Sequence, residues 1–152
     1  MSGDGERAPR HDEHPHDHAD RHDELSHVSA GAEPAIFAAR ADVVFAPPAA
    51  AAAMGAAVRA FLHRLRDDLA EAGCVLIGHV KGTLVSAERG GLTFSLTTLD
   101  GEARLATSLC GDLDAAVLTL NVIVFGVPER TLPGLAKHAW EAASPALTTW
   151  RV

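Results

Sequence analysis

Two cysteines, Cys74 and Cys110, are all the chain holds, and they stand far apart. Without a CxxC pair there is neither a zinc ribbon nor a thioredoxin motif, and isolated cysteines fit reduced thiols in a cytoplasmic setting. The phosphate-binding pattern GxxxxGK[ST] and the dinucleotide pattern GxGxxG are both missing, so the chain alone is not expected to hydrolyse ATP or GTP. No apolar run reaches the roughly 18 residues of a membrane span. The polar, acidic start lacks the character of a secretory signal, which again points to the cytoplasm. A basic excess is also lacking. The net charge is −7 over 152 residues, and residues 1–27 alone carry eight acids against three arginines. The other 125 residues hold twelve acids and ten bases. This balance argues against nucleic-acid binding and against attraction to anionic membranes.

What the chain does have is histidine, in one place. The stretch HDEHPHDHADRHDELSH, from His11 to His27, holds six of the nine histidines. Neutral imidazole ligates Zn²⁺, Ni²⁺, Co²⁺ and Cu²⁺. In a flexible chain, ligands two to four residues apart close on one ion. His14, His16 and His18 alternate, while His11, His22 and His27 extend the set, and Asp12, Asp17, Asp20 and Asp23 add oxygen donors. Composition of this kind reads as metal binding, here of a divalent transition metal (Ni, Zn or Co) that is carried rather than used in catalysis. The competing reading is a polar leader with incidental histidines. Residues 1–33 are too polar to offset their ordering entropy and are expected to be disordered without ligand. A single domain is expected over residues 34–152.

Within that domain, Val43-Val44-Phe45 reads as a short strand, stopped by Pro47-Pro48, which can open a helix. Met54, Val58, Phe61, Leu62, Leu65 and Leu69 recur at helical spacing between about Pro48 and Ala72. Gly73 stands where a helix C-terminal glycine belongs. Cys74–Ser86 is β-rich, with a turn at Glu88-Arg89-Gly90-Gly91. Leu92–Leu99 alternates between apolar and hydroxyl residues. Asp100-Gly101 signals a hairpin, and Glu102–Leu109 reads as the returning strand. Ala115–Val127 is a long apolar run whose β-branched content favours a strand over a buried helix. A last helix is expected over Leu132–Ala143, with Thr131 as its cap and Pro133 in its first turn. The order predicts an α+β fold: a two-layer sandwich with a mostly antiparallel sheet of three to five strands and two helices on one face.

Period two along Cys74–Ser86 places His79 and Lys81 on one face of the sheet. Hairpin alignment brings Thr93, Ser95, Thr97, Thr119 and Asn121 to the same face. Gly78 and Gly82 flank this pair, and glycine inside a strand marks a bulge or a close approach. His79 and Lys81 are therefore candidate ligands for an anion or a small polar molecule, against the alternative of an ordinary solvated sheet face. No Ser/His/Asp or Cys/His set is legible. Pairing Cys110 with His79 or His138 has no support in the spacing, and the expectation leans away from an enzyme.

The stretch GCVLIGHVKGTLVS, preceded by the amphipathic FLHRLRDDLAEA, resembles a segment of CobW-type GTP-binding metallochaperone proteins. There a helix leads into a Gly-His-hydrophobic-Lys strand beyond the GTPase domain, and histidine-rich segments are common. The resemblance covers roughly Ala53 to Thr97. The chain departs from the family in having no GTPase domain and no nucleotide motif. The resemblance thus implies a stand-alone relative of an accessory domain, working beside a GTPase or metalloenzyme-maturation partner. The family's GTPase activity falls on no residue here. The expected function is metal handling: the histidine-rich segment captures metal, and the body docks on a partner or forms a homodimer. The alternatives are a small-molecule or anion-binding domain centred on His79 and Lys81, with or without enzymatic activity, and a structural or interaction module.

Overall fold

A computed structural model describes residues 33–144 and 146–152. Everything expected of the histidine-rich segment, including its disorder, falls outside these residues.

The first strand, β1 (Ala35–Ala50), is far longer than the Val43–Phe45 expected. Its inward residues Ala35, Phe37, Ala41, Val43 and Phe45 are buried and alternate with Ile36, Ala38, Arg40, Asp42 and Val44. Alanine on both faces hid this alternation, because a small residue carries little hydrophobic contrast. The pairing register of β1 shifts between Val44 and Ala49. Pro47 and Pro48 lie inside that break, where a missing N–H costs no ladder bond. They do not open the helix: α1 spans Ala51–Glu71. All six apolar residues assigned to its inner face are buried. Asp68 joins them, held by Arg64 Nε at 2.9 Å. Arg64 Nη2 also lies 3.1 Å from His138 Nε2 on the second helix. Gly73, at φ +96°, ends α1 in a Schellman arrangement. Its N–H donates to Ala70 O and that of Cys74 to Leu69 O.

The strands β2 (Leu76–Ser86) and β3 (Gly90–Leu96) form the expected hairpin. β4 is only Arg104–Thr107. Asp100-Gly101 sits in a longer connection rather than a tight turn. Arg59 Nη1 on α1 donates to Ala103 O at 3.2 Å, Ala103 is buried, and Leu99 packs against the core, so the loop folds over the helix. β5 (Asp112–Phe125) is the strand that the β-branched run predicts, starting three residues earlier than expected. The helix α2 (Leu132–Ala143) has the predicted bounds. Thr131 makes no side-chain cap; its hydroxyl instead donates to Pro128 O at 2.7 Å. A final strand, β6 (Leu147–Arg151), was not expected. It pairs with β1, and its Thr148 hydroxyl accepts the indole N–H of Trp140 at 2.9 Å.

Among the described residues, six strands form one antiparallel sheet in the order β4-β3-β2-β5-β1-β6. The fold class is the α+β one expected; β6 takes the count past three to five. Both helices pack on the same sheet face. Phe61 of α1 meets Phe94 of β3 and Trp140 of α2 edge-on, at centroid distances of 6.1 and 5.5 Å. Buried aromatic area of this size dominates a small core. Among the described residues no helix is long and apolar enough to cross a membrane.

Candidate functional site on the open sheet face

The face of the sheet turned away from the helices is built by strict alternation from β2, β3, β5 and β1. A bulge at Gly78 sets its phase. Register slips between Ile77 and His79, so Ile77 turns into the core while Leu76 stays half-buried. Beyond the bulge the period is regular. Lys81, Thr83, Thr93, Ser95, Thr119 and Asn121 come together as the hairpin alignment predicted, whereas Thr97, also expected there, lies past the end of β3 and outside the group.

Pairing fixes their order. One row runs Arg104–Ser95–Lys81–Asn121–Ala38 across β4, β3, β2, β5 and β1. The next runs Ala106–Thr93–Thr83–Thr119–Arg40–Arg151 and reaches β6. Thr83 and Thr119 share a hydroxyl–hydroxyl hydrogen bond of 2.7 Å in the floor. Opposite it, on the core side, Gly82 lies against the Phe94 ring and the Thr119 carbonyl, and a Cβ there would collide with both. This is the close approach that a glycine inside a strand signals.

The twist of the sheet makes these rows a shallow trough of about 940 Å³. Four cations line it: Arg40, Lys81, Arg104 and Arg151. Among the described residues no acidic side chain does. Asp42, one row away, is engaged by Arg151 Nη2. Lys81 and Arg104 stand two strands apart, and so do Lys81 and Arg40. At about 4.8 Å per strand each pair is separated by roughly 10 Å of backbone. The trough therefore has one cationic rim at Arg104 on β4, a second at Arg40 and Arg151 on β1–β6, and between them a floor of hydroxyl and amide groups with Lys81 midway. A smaller groove of about 370 Å³, beside Pro47, Pro48 and Met54, has no charged residue in its lining among the described residues.

Of the two body residues singled out from sequence, Lys81 lies in the trough. His79, half-buried and paired with Ile123, is outside its lining. Arg40, Arg104 and Arg151 were missed. Arg104 was legible within an expected strand, whereas Arg40 lies on the part of β1 before the expected Val43–Phe45 and Arg151 on the unexpected β6. The six histidines from His11 to His27 lie outside the described residues. Among those described, no group of three or more His, Cys, Asp or Glu residues is placed to hold a metal ion. Cys74 is buried, and burial pushes its thiol above the usual cysteine range, against the opposing pull of backbone hydrogen bonds with Leu76 and Phe125. Cys110 is exposed.

Searches of protein-family models, curated proteins and solved structures find no match to this chain.

Proposed function

We propose that the protein is a cytoplasmic metal-handling accessory protein. Its histidine-rich segment captures a divalent transition metal, and its α+β body carries that segment and docks on a partner or a second copy. The observation that carries this reading is the concentration of six histidines between His11 and His27. Spacings of two to five residues let several imidazoles close on one ion without a preformed cage. Such a segment imposes no single geometry, which suits capture and hand-over better than catalysis. The partner implied by the CobW resemblance is a GTPase or a metalloenzyme-maturation protein.

Titration calorimetry with Ni²⁺, Zn²⁺ and Co²⁺ tests the reading. The full chain is compared with a full-length variant in which all six histidines are replaced by alanine. Micromolar or tighter binding by the first and its loss in the second are expected. Binding no tighter than millimolar by the native chain would sink the proposal.

A second reading, a small-molecule or anion-binding domain, is favoured by one observation: the cationic trough that contains Lys81.

A further inference from the structure

We infer that the open sheet face is a binding site for a compact small molecule carrying two or more anionic groups, phosphate or carboxylate, that bridges the two cationic rims. The inference deepens the anion-binding reading and is independent of the metal reading.

Three observations carry it. The first is charge. The body as a whole has more acids than bases, yet among the described residues four of its ten bases line this one trough and no acidic side chain does, the nearest, Asp42, engaging Arg151 from the next row. An ordinary solvated face mixes both signs. The second is register. Arg40 and Arg151 are direct cross-strand partners. Like charges placed opposite one another destabilise a sheet, and Asp42 engages only Arg151. Local rules broken without a structural gain concentrate at functional sites. The third is shape. The trough falls within the roughly 300–1,000 Å³ of small-molecule sites. Its floor supplies directional hydrogen-bonding groups in Thr83, Thr119 and Asn121.

The same features select among occupants. Single-stranded nucleic acid is held by aromatic stacking, but the one aromatic ring in the lining, Phe94, belongs to a buried residue packed against Phe61 in the core. An extended peptide adds to a sheet edge rather than lying across its face. A single small anion needs one rim only. A ligand with anionic groups spaced to meet Lys81 midway and Arg104 and Arg40 at the rims uses the whole arrangement. Charge-assisted hydrogen bonds from both rims give it an affinity that one anionic group does not reach.

The test is calorimetry on the full chain, freed of metal by chelation and dialysis, with tripolyphosphate, citrate and orthophosphate as probes. Saturable one-to-one binding of tripolyphosphate or citrate is expected, with orthophosphate at least about tenfold weaker. Which of the two multianions binds tighter assigns the site to phosphate or to carboxylate. Lys81→Ala, Arg104→Ala and Arg40→Ala should each weaken binding by about tenfold, while far-UV circular dichroism stays unchanged, since all three side chains are exposed. Orthophosphate binding as tight as tripolyphosphate would overturn the two-rim site and leave the anion-binding reading standing. No binding of any probe would overturn both. Binding unaffected by the three substitutions would place the anion elsewhere. A dimer that Arg104→Ala dissociates, or a single-stranded RNA that binds tighter than tripolyphosphate, would also overturn the proposal.

Discussion

Leu84 and Thr83 are neighbours on β2, yet they live in different solvents. Leu84 is fully buried beneath the helices, in a face shared with Val80, Leu92, Phe94, Leu118 and Val122. Thr83 looks the other way, into a trough lined by arginine and lysine. One backbone with period two makes both faces. The difference teaches where stability and function reside. Burial of apolar area holds the covered face to its helices, at about 25 cal/mol per Å². The open face adds little to that, and two of its cations, Arg40 and Arg151, repel one another across adjacent strands. Its residues are thus free to be set by what they bind.

The largest effect should come from the covered face. Phe61→Ala removes a fully buried ring that touches both Phe94 and Trp140. A loss of about 3–5 kcal/mol in urea unfolding is expected. A loss under about 1 kcal/mol would mean that the helices are not packed as described. Gly82→Val should follow, at about 1–3 kcal/mol, because its side chain meets the Phe94 ring and the Thr119 carbonyl. If Gly82→Val unfolds at the native urea concentration, β3 is not seated over that glycine.

The two cysteines sample the same contrast by reactivity. Cys74 is buried where the chain enters β2, with its Sγ donating to Leu76 O at 3.4 Å. Burial raises its pKa, so at any pH below that value less of it is the reactive thiolate. Cys110 is exposed. Iodoacetamide at pH 8 should alkylate Cys110 about a hundredfold faster, with Cys74 reacting only through opening of the fold. Peptide mass spectrometry reads both sites. Comparable rates would show that the lower end of the core is open.

The covered face was the legible one. Heptad-like spacing from Met54 to Leu69 named the inner side of α1 residue by residue, and the β-branched run after Ala115 named β5, because large apolar side chains recur with a clear period. Of β1 only Val43–Phe45 was legible, because alanines occupy both faces of the rest. β6 escaped because five residues with a single leucine and a tryptophan do not show a period; Trp140 and the free flank of β1 recruit it through tertiary contact. The trough was half legible for the same reason. Lys81 and the threonines sit on strands that the sequence announces. Arg40 and Arg151 gain meaning only once β1 and β6 are known to pair. His79 shares the open face with Lys81, as period two predicts, but pairs with Ile123 one row beyond the trough; the bulge at Gly78 resets only the residues before it, and the glycine signals its presence but not its phase.

Smaller effects belong to the open face. Thr83→Val keeps the shape and removes the hydroxyl bonded to Thr119. A loss of about 0.5–1.5 kcal/mol is expected, near the lower end because the site is only half-buried and water can replace the partner. A loss above about 3 kcal/mol would mean that the open face carries stability after all, and the contrast between the faces would fail.

The smallest effect has the opposite sign and is the most discriminating. Arg40 faces Arg151 across the β1–β6 ladder, and Asp42 engages Arg151 alone. Arg40→Thr removes the like-charge pair and places a β-branched residue in a strand. It should therefore stabilise the protein by about 0.2–1 kcal/mol in low-salt urea unfolding. Because the repulsion acts between exposed groups, the electrostatic part of the gain should disappear near 1 M NaCl, where the screening length falls to about 3 Å. Most surface substitutions lie within about 0.5 kcal/mol of neutral, so the salt dependence, more than the size, identifies the cause. A destabilised Arg40→Thr would show that Arg40 is a structural residue of the sheet, and the argument that its charge is held for a ligand would lose its strongest support.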